Sequence, residues 1–150
     1  ERVTLELLAD AGPAICDSLG LEFAETAAVA NLADTAVFID QLHALGVKVA
    51  LDDFGAGAAS FGYLKTLRVD TLKIDGQFVR DLVDDALDEA AMRCFADVAR
   101  VMSLRTVAKS VDKPAVLERL QAMGVDFAQG FLMQQPAPIG ALIEPAPAVA

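Results

Sequence analysis

The sequence predicts an α/β fold in which a parallel sheet is flanked by helices. Five short apolar runs recur along the 150 residues, and segments with helical spacing of apolar residues separate them. Strands that alternate with helices pair in parallel, because each helix returns the chain to the same end of the sheet. All five runs also finish in polar or charged residues. Since sites in such folds gather at the carboxyl ends of strands, the pattern predicts one shared functional rim.

A helical segment comes first, and five strands follow it. Residues 3–18 have helical spacing, with an interruption expected near Gly12-Pro13. The predicted strands, in chain order, are Leu19–Glu25, Val47–Asp53, Thr71–Asp75, Arg105–Lys109 and Asp126–Gly130. Each is short and followed by a loop or a helical pattern, which is typical of strands in a parallel sheet.

Three longer helices are predicted between the strands. The first contains Phe38, Leu42 and Leu45, with Asp34 as its expected N-cap and Gly46 as its expected end. The second has an apolar stripe of Leu87, Ala91, Cys94, Phe95, Val98 and Met102. The third has a stripe of Val116, Leu117, Leu120 and Met123, with Pro114 in its first turn and Gly124 at its end. We expect these stripes, with the Phe residues, to form the core.

The composition is that of one globular domain and excludes several classes of function. At 55% hydrophobic and 23% charged, the chain has ample apolar residues for a core. No run approaches the ~18 apolar residues of a membrane span, and the first residues lack a signal-peptide pattern, so we expect a cytoplasmic domain that begins inside a larger protein. A net charge of −10 disfavours non-specific binding to nucleic acid or anionic lipid. We expect Cys16 and Cys94 to be buried free thiols.

The most informative stretch is VKVALDDFGAG at residues 47–57. Asp52 and Asp53 are adjacent carboxylates at a predicted strand end, and they repel each other unless a positive group lies near them. A divalent metal is the usual partner, because hard cations bind carboxylate oxygens. The glycines permit close approaches that a side chain would block. An ordinary turn is the alternative, but the combination favours a metal or ligand site.

Four motifs together resemble one bacterial family. They are LEFAE at residues 21–25, DDFGAG at 52–57, LKID at 72–75 and DFAQGFL at 126–132. The corresponding motifs LEITE, DDFGTG, LKID and DYAQGYL are typical of EAL domains, the phosphodiesterases that linearise cyclic di-GMP. The match runs in continuous register from about residue 18 to residue 138. The chain therefore resembles the C-terminal part of an EAL domain.

The resemblance implies a TIM-like (β/α)8 barrel, of which this chain carries about the last five β/α units. A complete barrel needs roughly 250 residues. The Glu-Ala-Leu strand and the following strand with a metal-binding Asn are not found in residues 1–150. We expect a partial EAL-like domain at residues 1–138 and a flexible tail at 139–150. Because a partial barrel exposes sheet edges, we expect the missing strands elsewhere in the protein, or self-association or rearrangement of the chain.

The resemblance also implies a catalytic centre with two metals. Glu22 and Asp52 would ligate one Mg²⁺ or Mn²⁺ ion, and Asp53 would ligate the second. Lys73 would orient the attacking water and stabilise the phosphate charge. Two cations ~3.5–4 Å apart clamp a phosphodiester and supply hydroxide near neutral pH.

Two further residues have binding or supporting roles by the same resemblance. Glu25 would anchor the loop after Asp53, which also helps to shape a dimer surface in this family. Gln129 would contact the site from the last strand.

One position departs from the family pattern. Where EAL domains have Ala-Glu-Gly-Val-Glu, this chain has AKSVD at residues 108–112. Lys109 replaces the glutamate that serves the second metal and the nucleophilic water, and Asp112 replaces the second glutamate conservatively. An ammonium competes with a divalent cation and accepts no proton while charged. We expect Lys109 to place its ammonium near Asp52 or Asp53, in the place of the lost metal.

Each of these residues also has a plainer interpretation. Asp112 precedes Lys113-Pro114 and fits a helix N-cap. Lys73 fits an ion pair with Asp75 or with another neighbouring acid. Glu22 and Glu25 fit a solvated strand end, and Lys109 fits a side chain that points into solvent.

The leading hypothesis is a degenerate, non-catalytic EAL-like signalling domain that acts as a cyclic di-GMP receptor or a protein-interaction module. The alternative is an active Mg²⁺- or Mn²⁺-dependent phosphodiesterase that forms pGpG when the full-length domain is present. Under the leading hypothesis the metal binds weakly or not at all. The expected partners are cyclic di-GMP and either a second copy or upstream domains of the same protein, with no nucleic acid and no membrane contact.

Overall fold

The computed structural model describes residues 1–57 and 61–140, and it confirms the predicted α/β fold. One sheet contains the strands β1 (Gly20–Ala24), β2 (Lys48–Phe54), β3 (Thr71–Ile74), β4 (Arg105–Ala108) and β5 (Phe127–Ala128). The strands lie side by side in chain order, and every neighbouring pair is parallel. The helices are α1 (Arg2–Ala11), α2 (Pro13–Cys16), α3 (Glu25–Ala30), α4 (Leu32–Ala44), α5 (Ala86–Val101) and α6 (Pro114–Met123). Short 3-10 turns at Phe61–Lys65 and Gly76–Phe78 follow β2 and β3.

The core lies between one face of the sheet and the helices. Alternate strand residues such as Leu51, Leu72 and Ile74 are fully buried on that face. The helices cover them with side chains that include Leu42 of α4 and Met92 of α5. The opposite face carries Glu22, Asp52 and Lys73. The register of β2 against β3 shifts between Leu51 and Phe54, so that Asp53, next to Asp52, also reaches the site.

Parallel register brings the carboxyl ends of the strands to one edge. Ala24 lies beside Asp52, and Ile74 lies beside Ala108. The polar residues that end or follow these strands therefore share a rim, as the sequence predicts.

At the opposite edge, two aspartates that precede strands bind the neighbouring strand. Asp70 Oδ2 accepts a hydrogen bond from the Val49 amide at 2.8 Å and contacts His43 Nε2 at 3.0 Å. Asp126 Oδ2 accepts from the Thr106 amide at 2.7 Å and from its hydroxyl at 2.9 Å. Because Asp126 uses its side chain in this way, β5 begins one residue later than predicted.

The predicted helix boundaries are confirmed except at one N-cap. The break at Gly12 has φ 85°, and Gly124 ends α6 with φ 77°. Asp34 is not an N-cap: α4 starts at Leu32, and Asp34 Oδ2 instead accepts a hydrogen bond from Asn31 Nδ2 at 2.9 Å. Asn31 marks the sharp connection between α3 and α4, which the apolar spacing did not reveal.

Several residues predicted to be buried are exposed. Leu87 and Cys94 lie on the outer side of α5, whose core face is formed by Met92, Phe95, Ala96 and Ala99. Phe127 and Phe131 are 51% and 66% exposed. The reason is geometric, since a helix or strand with apolar residues on two faces can turn only one of them to the core. Cys16 is buried, and both thiols are free.

Two further expectations concern the ends of the chain and membranes. The expected flexible tail falls largely at residues 141–150, which lie outside the described residues. None of the helices in the described ranges is long and apolar enough to cross a bilayer.

Replacing Asp70 with Asn is expected to lower the free energy of unfolding by about 1–2 kcal/mol at pH 7. Partial burial opposes ionisation, but the Val49 amide and His43 hold the pKa of Asp70 below its ordinary value. A lowered pKa stabilises the fold above the unfolded-state pKa of about 4 and loses that effect as pH falls through the folded-state pKa. Urea unfolding at pH 7 and pH 3 should show the difference shrinking in acid. The exposed substitution Asp10→Asn is the control, and equal differences at both pH values would contradict the expectation.

Candidate functional site

Adjacent strands bring acidic and basic side chains together at the carboxyl edge. Glu22 comes from β1, Asp52 and Asp53 from β2, and Lys73 from β3. Lys109 follows β4 directly. Two strands thus present carboxylates and the next two present ammonium groups. These groups meet at one edge because the strands are parallel and lie side by side in chain order.

Lys109 bridges the two neighbouring aspartates. Its Nζ lies 2.8 Å from Asp52 Oδ1 and 2.6 Å from Asp53 Oδ1, which confirms the predicted contact and excludes the solvent-directed alternative. The side chains of Lys109 and Asp52 are each 24% exposed, and that of Asp53 is 47% exposed. The mutual repulsion of the carboxylates is thereby compensated by a side chain of this chain itself.

The bridge shifts the pKa values of Lys109 and Asp52. Burial alone lowers the pKa of an ammonium, but hydrogen bonds from Lys109 to the two aspartates outweigh it and raise the pKa of Lys109. Burial likewise opposes ionisation of Asp52, yet the Lys109 ammonium lowers the pKa of Asp52 below its ordinary value. Lys109 is therefore a fixed cation at neutral pH and cannot accept a proton there.

Lys73 is held by an acid two strands away. Its Nζ lies 2.7 and 2.8 Å from the two oxygens of Glu22, and its side chain is only 11% exposed. Of the two ion-pair partners considered for Lys73, the neighbouring acid is the one observed. Asp75 instead accepts a hydrogen bond from the Gln77 amide at 2.8 Å.

The residues present do not fit a resident divalent metal. Among residues 1–57 and 61–140, no group of three or more His, Cys, Asp or Glu is placed to hold a metal ion. The carboxylates of Asp52 and Asp53 share an ammonium, and both oxygens of Glu22 bind Lys73. Each expected ligand thus already has a cation from the chain.

Glu25 anchors the loop after β2. It is 1% exposed, and its Oε2 accepts hydrogen bonds from the Gly55 and Gly57 amides at 3.1 Å each. Its Oε1 accepts a hydrogen bond from the Tyr63 hydroxyl. Burial and this carboxylate raise the pKa of Tyr63 well above its ordinary range. A solvated strand end is therefore the wrong interpretation for Glu25.

Two positions of this loop have no space for a side chain, which explains their glycines. Gly55 has φ 94°, and a Cβ there would lie 2.8 Å from the Phe95 ring. A Cβ at Gly57 would lie 2.6 Å from the Thr26 side chain. Side chains at either position would push the loop away from the carboxylate that holds it.

Backbone strain flanks the Lys109 bridge. Asp53 and Ser110 have left-handed φ values of 55° and 60°. Such conformations are uncommon for residues other than glycine and cluster at functional sites. Asp53 is part of the bridge, and Ser110 directly follows Lys109.

Asp112 and Gln129 lie farther round the rim. Asp112 does not cap α6, whose N-cap is Lys113; its Oδ1 accepts a hydrogen bond from the Phe131 amide at 3.0 Å. The backbone amide of Gln129 donates to the Ala108 carbonyl at 2.8 Å, and the Gln129 carbonyl accepts from the Val111 amide at 3.0 Å. A cleft of about 360 Å³ is lined there by Arg80, Lys109, Ser110, Asp112, Gln129, Gly130 and Phe131.

Two residues in this region were not anticipated. Tyr63, the sole tyrosine of the chain, was not connected with Glu25, because 38 residues separate them. Arg80 brings a second type of cation to the cleft from the turn after β3. The only sequence signal for Arg80 was its position shortly after the LKID motif.

Comparison with known proteins relates the chain to one family. The family model described as the EAL domain matches residues 2–136. The chain is 43% identical over 123 residues to the cyclic di-GMP phosphodiesterase PdeB of Shewanella oneidensis, covering 82% of this chain and 14% of PdeB.

Two solved structures share the fold. The PaMucR phosphodiesterase in complex with cyclic di-GMP is 36% identical, with a TM-score of 0.80, over 84% of this chain and 51% of that one. The manganese and cyclic di-GMP complex of Klebsiella pneumoniae BlrP1 at pH 6 is 27% identical, with a TM-score of 0.73, over 78% of this chain and 30% of that one. The chain thus spans about a seventh of PdeB and about half of the solved PaMucR chain.

Replacing Glu25 with Gln is expected to destabilise the protein by about 1.5–3 kcal/mol, since it removes a charged acceptor from buried donors. The amide group of Gln also points a donor at donors. Urea unfolding and limited proteolysis should show lower stability and faster cleavage near Gly55. Glu6→Gln, an exposed change on α1, is the control. Unchanged stability and cleavage would mean that Glu25 does not hold the loop.

Replacing Lys109 with Glu is expected to strengthen Mn²⁺ binding relative to the wild type. The change removes the cation that occupies the aspartates and adds a third carboxylate, so affinity should rise at least about tenfold. Calorimetric titration with Mn²⁺ measures this directly. Lys65→Glu makes the same charge change at an exposed position and should not bind the ion. Equal binding by the wild type and Lys109→Glu would show that the ammonium does not block a metal.

Proposed function

Because the chain belongs to the EAL domain family, we propose that it is a non-hydrolysing member that binds cyclic di-GMP as a signalling receptor. The observation that carries this proposal is the Lys109 ammonium held between Asp52 and Asp53 at 2.8 and 2.6 Å. The bridge supports a loss of hydrolysis, because it puts an ammonium where a metal would bind. It also supports a rim that keeps its charged side chains.

The loss of hydrolysis follows from the chemistry of the bridge. Metal-assisted hydrolysis of a phosphodiester requires a cation that binds water and lowers its pKa. An ammonium neutralises nearby carboxylates, but it has no open coordination position and does not polarise bound water in this way. The raised pKa of Lys109 also prevents it from serving as a base at neutral pH.

The retained groups support nucleotide binding. Lys73 and Lys109 bring ammonium groups to the rim, each of them paired with a carboxylate, and Arg80 and Gln129 line the adjoining cleft. Phe131, at 66% exposed, presents an aromatic ring beside them. Cations for phosphates and an aromatic face for a purine are what a cyclic dinucleotide requires.

The fixed loop supports the same conclusion. Glu25 retains its hydrogen bonds to Gly55, Gly57 and Tyr63 although the neighbouring aspartates bind a lysine. A loop segment that is held by a carboxylate of the chain itself can transmit ligand binding to neighbouring structure. We propose that this receptor acts in the cytoplasm as a homodimer.

An active phosphodiesterase is the second candidate, and the comparisons favour it. PdeB and PaMucR bear that name, and the chain covers only part of each. A protein-interaction module without nucleotide binding is the third possibility. Binding and turnover measurements separate all three.

Cyclic di-GMP is expected to bind in the presence of EDTA, and no pGpG is expected to form with Mg²⁺ or Mn²⁺. Lys73→Met should weaken binding about tenfold or more, because it removes a charged donor to phosphate. Calorimetry and chromatography of the products measure the two quantities. Both are measured on this chain and on the natural full-length polypeptide.

Lys65→Met, at an exposed site, is the matched control for binding. Turnover by the wild type at rates comparable to active EAL domains would support the phosphodiesterase and overturn the proposal. Absence of heat at high ligand concentration in both proteins would overturn the receptor and leave the interaction module.

A further inference from the structure

One buried carboxylate connects two separate parts of the chain that follows β2. Glu25 is 1% exposed, and its two oxygens bind different donors. Its Oε2 accepts hydrogen bonds from the Gly55 and Gly57 amides at 3.1 Å each, and its Oε1 accepts one from the Tyr63 hydroxyl. The Tyr63 hydroxyl and the loop after β2 are therefore linked through a single side chain.

Tyr63 is held in place independently of Glu25. It lies in the 3-10 turn Phe61–Lys65, and its carbonyl accepts hydrogen bonds from two amides farther along the chain at 2.9 Å each. The Phe61 ring of the same turn lies 5.7 Å from the Phe54 ring, which is fully buried. Since the turn is fixed by these contacts, it presents the hydroxyl to the carboxylate in a set position.

The phenol of Tyr63 remains a donor. Tyr63 is 9% exposed, and burial, together with the hydrogen bond to Glu25, raises the pKa of Tyr63 well above its ordinary value. Loss of a donor from a buried carboxylate is costly, because the oxygen stays away from water that could replace the hydrogen bond. The hydroxyl thus favours one orientation of the Glu25 carboxylate.

The loop that Glu25 holds also positions Asp53. Gly55 lies two residues after Asp53, and the Asp53 carbonyl accepts a hydrogen bond from the Ala56 amide at 3.2 Å. Asp53 has a left-handed φ of 55°, and its Oδ1 lies 2.6 Å from Lys109 Nζ. A residue keeps such a conformation only where neighbouring contacts hold it. The hydrogen bonds to the loop therefore support the strained residue that completes the Lys109 bridge.

We propose that Tyr63 is a positioning residue of the rim, which acts through Glu25 on the Lys109 bridge. Its hydroxyl orients the Glu25 carboxylate, the carboxylate holds the loop after β2, and the loop keeps Asp53 in the bridge. The effect of Tyr63 on cyclic di-GMP binding rests on the proposed function, whereas its effect on the loop does not.

Replacing Tyr63 with Phe removes the hydroxyl and keeps the ring. Hydrogen exchange at the Gly55 and Gly57 amides should become at least about tenfold faster, because the loop then opens more easily. The Val49 amide, which binds Asp70 at the opposite edge, should change only as much as overall stability does. Hydrogen exchange of the folded chain, followed by NMR, measures all three amides.

Thr106→Val is the matched control. It likewise removes one buried hydroxyl that donates to a carboxylate, since Thr106 Oγ1 donates to Asp126 Oδ2 at 2.9 Å. This variant should lower overall stability without a selective change at Gly55 and Gly57. A selective change in the control, or none in Tyr63→Phe, would overturn the inference.

The same spectra show whether the effect reaches the bridge. The carboxyl carbon of Asp53 and the ammonium of Lys109 should shift in Tyr63→Phe and stay unchanged in Thr106→Val. Shifts confined to the loop would contradict the step from the loop to the rim.

Combined substitutions test the route through Glu25. In the Glu25→Gln background, Tyr63→Phe should change exchange at Gly55 and Gly57 by less than about twofold, because the carboxylate that transmits the effect is gone. Fully additive effects of the two substitutions would show that Tyr63 acts by another route, against the proposal.

A further measurement leaves Tyr63 in place. It is the only tyrosine, and the chain contains no tryptophan, so near-ultraviolet absorbance follows the ionisation of this one phenol. Glu25→Gln should let the phenol ionise at a lower pH than in the wild type, whereas the exposed change Glu6→Gln should not. Ionisation at the same pH in the wild type and Glu25→Gln would refute the contact on which the proposal depends.

The consequence for the ligand is measured by calorimetry with cyclic di-GMP. Tyr63→Phe should weaken binding about threefold or more, because fewer molecules then have the rim in its bound arrangement. Thr106→Val should bind like the wild type. A looser loop with unchanged affinity would overturn the inference. If the loop responds as expected but the wild type binds no nucleotide, the receptor proposal fails and the link from Tyr63 to the bridge stands.

Discussion

Two adjacent negative charges at the end of β2 constrain the whole carboxyl edge of the sheet. Asp52 and Asp53 are partly buried and would repel each other if no cation lay between them. Lys109 reaches them from the end of β4, across β3, and so ties strands that are not neighbours. Lys73 of β3 likewise binds Glu22 of β1, across β2. Each ion pair thus joins two strands that are not neighbours, and together they stabilise the rim.

An ammonium and a divalent metal give such an edge different properties. A metal would bring open coordination positions and activated water, whereas Lys109 brings hydrogen-bond donors and a charge that does not change near neutral pH. The rim thereby keeps its geometry without a bound ion. We propose that this edge recognises an anionic ligand and does not hydrolyse it.

The supports of the site are remote from it in sequence but adjacent in the fold. Glu25 holds the loop that follows Asp53, and Phe95 of α5 packs against Gly55 in the same loop. The order of the carboxyl edge therefore depends on a helix that follows the next strand along the chain.

The sequence by itself predicted the fold class, the parallel strands and the polar rim at their carboxyl ends. Apolar periodicity and helix-ending glycines are local signals that can be found in the sequence. The positive charge of Lys109 also predicted its contact with Asp52 or Asp53. Local patterns did not specify that Asn31 rather than Asp34 precedes α4, or that Asp126 binds Thr106 with its side chain. They also did not distinguish the two apolar sides of α5. Tertiary structure decided these points, and also joined Tyr63 to Glu25, because burial and long-range hydrogen bonds depend on which elements meet in space.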